Sequence, residues 1–317
     1  MTGSIGIVIP AARSNAETVL RDADAAMYKA KAAGRNRSEF FDEESRRRLV
    51  ARFEMETELR QALAHGEFEV YYQPEVARDG QPLGAEALIR WNHPRRGLVP
   101  RLDFIPLAED LGLIKPIGAW VFEAAVAQLS SWDAQEDGPR VGVLSINISS
   151  HQLEDPDTSE VIRAVIERYG IAPSRLVLEV TESVLMADSP STRTSLQRFQ
   201  EMGLGVAIDD FGTGYSSLAY LHTLPVTTLK IDRSFIERLE GPVDSAQIVK
   251  AIVDLGHAMG LRVIAEGVSN DRLHELVSTL GCDVAQGFFW ARPLPARQFE
   301  HWWGEAERGL ARPPHES

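Results

Sequence analysis

Two adjacent carboxylates, Asp209 and Asp210, end an apolar run from Leu204 to Ile208 and open the polar stretch Phe211-Gly212-Thr213-Gly214-Tyr215-Ser216-Ser217-Leu218. At an effective dielectric of about 20, like charges about 4 Å apart repel by roughly 4 kcal/mol. Two bare carboxylates at the end of a buried strand therefore call for a cation. A divalent metal, or a pair of them, compensates the charge and also brings chemistry.

Other polar residues fall at comparable places. Glu86 and Arg90 sit in Glu86-Ala87-Leu88-Ile89-Arg90, Asn147 in Ser145-Ile146-Asn147-Ile148-Ser149, and Glu179 and Glu182 in Leu178-Glu179-Val180-Thr181-Glu182. Lys230 and Asp232 flank Ile231, Glu266 ends Val263-Ile264-Ala265-Glu266, and Gln286 precedes Gly287-Phe288. Each alone has a bland explanation. A single Glu at a strand end is usually a loop residue, Asn147 could cap a following helix, and Lys230 could snorkel at the surface. Their joint recurrence at successive strand ends points to one oxygen-lined site. With no clustered His or Cys, such a donor set favours Mg²⁺ or Mn²⁺ over zinc.

The elements that must position these residues alternate along the chain. Apolar runs at Phe68–Val76, Leu83–Trp91, Val141–Ile148, Leu176–Thr181, Gly205–Asp209, Thr228–Ile231, Arg262–Ala265 and Asp283–Phe288 read as strands. Helical periodicity occupies most of the gaps, at Ile117–Trp132, Thr158–Tyr169, Ser191–Met202, Ser245–Met259, Asp271–Leu280 and Ala296–Gly304. Eight strands alternating with helices predict a (β/α)8 TIM-like barrel, in which sites gather at the carboxyl ends of the strands. An open doubly wound sheet is the alternative, but no Gly-x-Gly-x-x-Gly follows the first strand. Side chains two apart share a strand face, so Glu86, Leu88 and Arg90 point one way. Asp210 joins Asp209 at one site only if the strand stops there, and Gly212 and Gly214 provide the backbone freedom. Upstream, a short strand at Ser4–Pro10, a helix at Asn15–Ala33 and a strand at Ser38–Phe41 make a small α/β piece. A charged connecting helix follows at Asp42–His65.

The 317 residues are 44% hydrophobic and 25% charged, ordinary for a globular chain, with a net charge of −13. Such a surface is a poor partner for DNA or an anionic membrane. A small anionic substrate remains compatible if metals supply local positive charge. The single cysteine, Cys282, excludes an internal disulfide. No apolar run reaches transmembrane length and no signal-peptide pattern opens the chain, so a cytoplasmic location without membrane insertion is expected.

Glu86-Ala87-Leu88 with Arg90 resembles the signature of the EAL family of cyclic di-GMP phosphodiesterases. The resemblance extends in order through Tyr72-Gln73-Pro74, Phe104-Ile105-Pro106-Leu107-Ala108-Glu109, Asn147-Ile148-Ser149, Glu179-Val180-Thr181-Glu182, Asp209 to Leu218, Lys230-Ile231-Asp232, Ala265-Glu266-Gly267-Val268 and Gln286-Gly287-Phe288. It implies one divalent cation on Glu86, Asn147, Glu179 and Asp209, and a second near Asp209, Asp210 and Glu266. By the same resemblance, Lys230 orients the attacking water. Gln73, Leu88 and Arg90 contact the dinucleotide, with Gln286 beside the water and metals. Glu182 holds the loop that follows Asp210, a loop the family associates with a homodimer contact. The implied reaction opens cyclic di-GMP to linear pGpG. Two departures are Ser269, where the family usually has Glu, and Phe288, where Tyr is also common.

The segment Ala23-Asp24-Ala25-Ala26-Met27-Tyr28-Lys29-Ala30-Lys31, then Gly34-Arg35-Asn36-Arg37, resembles the end of a GGDEF diguanylate cyclase domain. The stretch with that family's nucleotide site is absent, so no cyclase activity is expected. The implied organisation is a GGDEF-like C-terminal fragment at 1–42, a connecting helix at 43–65, an EAL barrel at 66–308 and a tail at 309–317. A longer protein, membrane-tethered through further N-terminal domains, is compatible with this reading. The competing expectations are an EAL-like receptor that binds the dinucleotide without cutting it, and a barrel enzyme for another phosphodiester.

Overall fold

The structure, a computed structural model, describes residues 3–8, 15–41, 43–187, 189–214, 223–241 and 244–309. The chain forms two compact units, Met1–His65 and Gly66–Ser317.

In the first unit, strands β1 (Ile5–Ile7) and β2 (Ser38–Phe40) pair in parallel. Between them runs the helix Ala16–Ala32, whose N-cap Asn15 accepts from the Thr18 amide at 2.7 Å. The chain leaves this helix through three successive left-handed residues, Gly34, Arg35 and Asn36. The long helix Glu43–Ala62 follows.

The second unit is a closed barrel. Its strands are β3 (Phe68–Ala77), β4 (Pro82–His93), β6 (Val143–Asn147), β7 (Leu176–Thr181), β8 (Gly205–Phe211), β9 (Thr228–Ile231), β10 (Arg262–Ala265) and β11 (Val284–Gln286), and β3 closes the ring by pairing with both β4 and β11. Two short antiparallel additions, β5 (Gly97–Val99) on β4 and β12 (Leu294–Pro295) on β3, lie outside the ring. The first barrel strand is atypical: β3 runs antiparallel to both neighbours, while the other ring pairings are parallel. The tight connection from Ala77 to Pro82 explains this, because a short turn can only join antiparallel strands.

Registered partners share a face, so the inward set can be traced around the ring: Gln73 to Glu86, Glu86 to Ser145, Asn147 to Glu179, Glu179 to Ala207, Ala207 to Thr228, Lys230 to Ile264, Ile264 to Val284, and Gln286 to Glu75. All of these except Asn147 are buried. The interior is a packed core whose upper layer is polar, as expected at the carboxyl ends of barrel strands.

One expectation is corrected. Strand β8 does not stop at Asp209 but runs to Phe211. The pairing of β8 with β9 matches Ile208 to Leu229 and then Phe211 to Ile231, so Asp209 and Asp210 together face the single residue Lys230. This is a bulge, and Asp210 takes it in the left-handed region at φ 55°. Aspartate tolerates that conformation better than bulkier side chains do. The extra residue, rather than a strand end, brings both carboxylates toward one side.

Several short helices escape sequence periodicity: Ser150–Leu153, Glu182–Met186 and Arg233–Glu237, each placed just after a barrel strand. The helix Arg101–Asp110 was also not expected, since Pro100 and Pro106 obscure its pattern.

Candidate active site

The centre of the site is Lys230, fully buried at 0% exposure. Its Nζ lies 2.6 Å from Glu266 Oε1 and 2.7 Å from Glu179 Oε1, and 3.6 Å from both Glu86 Oε2 and Asp209 Oδ1. These are charge contacts rather than aligned hydrogen bonds. Burial pushes the Lys230 ammonium pKa down, but Asp209, Glu179, Glu266 and Glu86 outweigh it and hold it well above the ordinary lysine value. The snorkelling alternative is therefore excluded.

Around this ammonium the carboxylates divide. Burial raises the pKa of Glu86, yet Lys230, Arg101 and hydrogen bonds from Gln286 and Asn147 bring it down to about 2. Burial raises Glu266 to about 8 despite its lysine contact, with Asp209 and Glu86 adding to the rise. Glu179 is raised well above its ordinary value by burial and by Glu86. Asp210 is raised by burial, then by Asp209 and Asp232. A single ammonium cannot compensate five carboxylates, so part of the ring holds protons when no further cation is present.

Neutral amides fix the ring. Asn147 Nδ2 donates to Glu86 Oε1 at 2.7 Å and to Glu179 Oε2 at 3.3 Å. The capping alternative for Asn147 fails, because Ser149 and Gln152 form the capping box of the helix Ser150–Leu153. Gln286 Nε2 donates to Glu86 Oε2 at 2.7 Å and to Gln73 Oε1 at 3.2 Å, and Gln73 Nε2 donates to the Ala291 carbonyl at 3.2 Å. Glu86 thus receives donors on both oxygens.

At the ring, three buried oxygens remain without a hydrogen-bond donor: Glu179 Oε1, Asp209 Oδ1 and Gln286 Oε1. Ligand atoms of Asp209, Asp210 and Glu266 lie within 4.8 Å of one another. An all-oxygen set with orphaned acceptors and surplus negative charge fits a hard divalent cation.

The remaining expected residues are placed as follows. Leu88 lines the cleft above the ring, a space of about 210 Å³ that also contacts Gln73, Glu86, Asp209, Asp210, Glu266 and Gln286. Arg90 lies in an adjoining groove with Leu98, Pro100, Arg101 and Leu102. Its Nη1 donates to the Ile89 carbonyl at 2.8 Å and its guanidinium stands 5.5 Å from the centroid of Tyr71. Glu182, 1% exposed, accepts from the amides of Gly212 at 2.8 Å and Gly214 at 3.3 Å through Oε2. Asp232 caps the helix Arg233–Glu237 by accepting from the Ser234 amide at 3.0 Å. The end of the expected loop, Tyr215 to Leu218, lies outside the described residues. Sequence reasoning missed Arg101 and Arg233 at the cleft wall and the buried Glu75 in the barrel; Ser269, noted only as a departure from the family, also lines the cleft.

Comparison with known proteins adds the family. The EAL domain matches residues 56–293. The chain belongs to the EAL domain family. Similar relatives include the bifunctional diguanylate cyclase/cyclic di-GMP phosphodiesterase MucR of Pseudomonas aeruginosa, 41% identical over 300 residues, covering 94% of this chain and 44% of that protein. The cyclic di-GMP phosphodiesterase PdeR of Escherichia coli is 37% identical over 301 residues, covering 95% of this chain and 45% of that protein. The chain thus spans less than half the length of these two relatives. Among solved structures, the PaMucR phosphodiesterase in complex with c-di-GMP superposes with a TM-score of 0.72 at 43% identity, covering 77% of this chain and 98% of that one. The EAL enzyme Bd1971 with cAMP and cyclic di-GMP bound gives a TM-score of 0.75 at 32% identity, covering 80% of this chain and 69% of that one. In this EAL barrel, Glu86-Ala87-Leu88 lies on β4, antiparallel to Tyr72-Gln73-Pro74 of β3. The family tripeptide and its glutamine partner are therefore neighbours across one strand pair. Among the described residues, no helix is long and apolar enough to cross a membrane.

Proposed function

We propose that this chain hydrolyses one phosphodiester bond of cyclic di-GMP to give linear pGpG, using two divalent cations, Mg²⁺ or Mn²⁺. The observation that carries this reading is the ring of Glu86, Glu179, Asp209 and Glu266 around the buried Lys230, with Asp210 at its edge. Glu86, Asn147, Glu179 and Asp209 would hold one cation, and Asp209, Asp210 and Glu266 the second. Bound there, the cations would neutralise the phosphate and lower the pKa of an attacking water.

The protein's own residues do the rest. Lys230 orients the water and keeps its charge, because four carboxylates surround it. Gln286 and Asn147 hold the two Glu86 oxygens in fixed directions. Leu88 offers an apolar wall to a guanine, Gln73 lines the same cleft, and Arg90 supplies a charge-assisted contact to phosphate. Attack adds one water, breaks the bond from phosphorus to the 3′ oxygen, and leaves a 5′ phosphate and a free 3′ hydroxyl.

The organisation that accompanies this function is a barrel at 66–308, a connecting helix at 43–65 and a GGDEF-like remnant at 1–42. The active form is a homodimer in the cytoplasm. Relatives named for cyclic di-GMP phosphodiesterase activity, and c-di-GMP in a complex with a similar structure, support the substrate.

The test is incubation of the protein with cyclic di-GMP and Mg²⁺ or Mn²⁺, with Asp209→Asn alongside. Formation of pGpG by the wild-type chain and its loss in the variant are expected. Binding without pGpG would make the chain a receptor, and equal cleavage of unrelated diesters would make it a general phosphodiesterase.

A further inference from the structure

We infer that Arg101 is a substrate-binding residue of this site, holding the phosphate of the dinucleotide that is not cleaved. This rests on the cyclic di-GMP reading above. Arg101 opens the helix Arg101–Asp110, directly after Pro100. A cation in the first turn gains nothing from the helix dipole, which favours anions there. Its placement is thus not explained by helix stability.

The side chain faces the acidic cleft. Nη1 stands 3.9 Å from Glu86 Oε1, beyond hydrogen-bond distance, and the side chain is 49% exposed. Its guanidinium donors have no hydrogen-bonded acceptor among the described residues, in contrast to Arg90, which is engaged with Ile89 and Tyr71.

Arg101 also stands where three spaces meet. It lines the cleft with Asp209, Asp210, Glu266 and Gln286, the cavity with Ile105, Asn147 and Thr181, and the groove with Arg90 and Leu98. Arg90 does not line the acidic cleft itself, so Arg101 is the guanidinium that spans from the carboxylate ring to the Arg90 groove.

The substrate carries two phosphates. The one being cleaved needs the metals, and the other enters a cleft whose near wall is acidic. A planar fork of unused donors at the rim matches that second anion, and Lys at the same place would supply charge without the fork.

The test is equilibrium binding of cyclic di-GMP, and separately of Mn²⁺, by calorimetry on the wild-type chain, Arg101→Ala and Arg101→Lys. Arg101→Ala is expected to weaken cyclic di-GMP by about 10- to 100-fold, as for loss of hydrogen bonds to a charged group. Arg101→Lys recovers only part of this. Mn²⁺ affinity is expected to hold or rise, since a cation near Glu86 has been removed. Unchanged cyclic di-GMP affinity in Arg101→Ala would overturn the inference. A matching fall in Mn²⁺ affinity would also overturn it, by showing that Arg101 acts through Glu86. If the wild-type chain itself fails to bind cyclic di-GMP, the functional reading falls instead.

Discussion

Replacing Lys230 by methionine separates its electrostatic role from its packing role. The two side chains have similar length, so little cavity opens. What disappears is the charge that four carboxylates share at 2.6–3.6 Å. At an effective dielectric of about 20 the two nearer contacts are worth roughly 6 kcal/mol each and the two farther ones somewhat under 5, as gross attractions. Most of this is offset by the cost of removing the ions from water. The net loss on deleting one member of a buried ionic cluster is about 3–5 kcal/mol. For a domain of the barrel's size, that lowers the melting temperature by roughly 6–20 °C. Proton uptake by the ring moves the result toward the lower end. A divalent cation compensates the same carboxylates, so saturating Mn²⁺ should erase half or more of the deficit. The assay is thermal unfolding of wild type and Lys230→Met in EDTA and in Mn²⁺. An equal deficit in both conditions would refute the shared-charge argument and leave Lys230 as a packing residue. No deficit in EDTA would show that the ring discharges itself by protonation alone.

Three further expectations follow from the same geometry. Glu266 is raised from 4.5 to about 8, so between those values the metal-free fold holds a proton that the unfolded chain has released. Metal-free stability therefore falls as pH rises across that window, whereas Mn²⁺ affinity rises and binding expels protons. Calorimetry in buffers of different ionisation enthalpy reads this, and a pH-independent affinity would exclude it. Glu182→Ala removes the acceptor shared by the Gly212 and Gly214 amides, at a cost of about 1–3 kcal/mol. Faster hydrogen exchange at those two amides is expected, and unchanged protection would mean that the loop is held otherwise. Glu75 is fully buried below the ring, accepts from Ser145 Oγ at 3.0 Å, and is raised chiefly by burial. Because its pKa is raised in the fold, Glu75→Gln should become more favourable relative to wild type as pH rises and ionisation comes to oppose burial of the wild-type carboxyl. Thermal unfolding of both proteins across pH reads this, and a stability difference that does not move toward the variant as pH rises would overturn it.

Legibility in the sequence followed the length and regularity of the signal. Strands β7, β9 and β10 run between the residues that the apolar pattern indicates, because each is a short, mostly apolar run in which a single site residue stands out: Glu179 in β7, Lys230 in β9 and Glu266 just after β10. The acidic ring was visible for the same reason: a carboxylate at the end of such a run breaks a strong pattern. The helix Glu182–Met186 and its like were not, since five residues show no helical period. The choice between capping and site roles for Asn147 was open in one dimension, and only the position of Ser149 closes it. Arg101 carried no signal, because a lone arginine after Pro100 acquires meaning only when its helix packs at the cleft.

The bulge in β8 is the least legible feature and the one on which the site turns. Had β8 paired without interruption, strand alternation would have sent Asp209 and Asp210 to opposite faces. One extra residue against Lys230 puts both carboxylates near Glu266 instead. The same offset sets Lys230 of β9 opposite the pair, so the bulge that gathers the negative charge also faces it with a compensating cation. Lys230 thereby stabilises the ring without filling it: Asp209 Oδ1 keeps an orphaned lone pair although the ammonium stands 3.6 Å away. A site compensated only in part retains the driving force to take up a divalent cation. A fully neutralised one would have lost it.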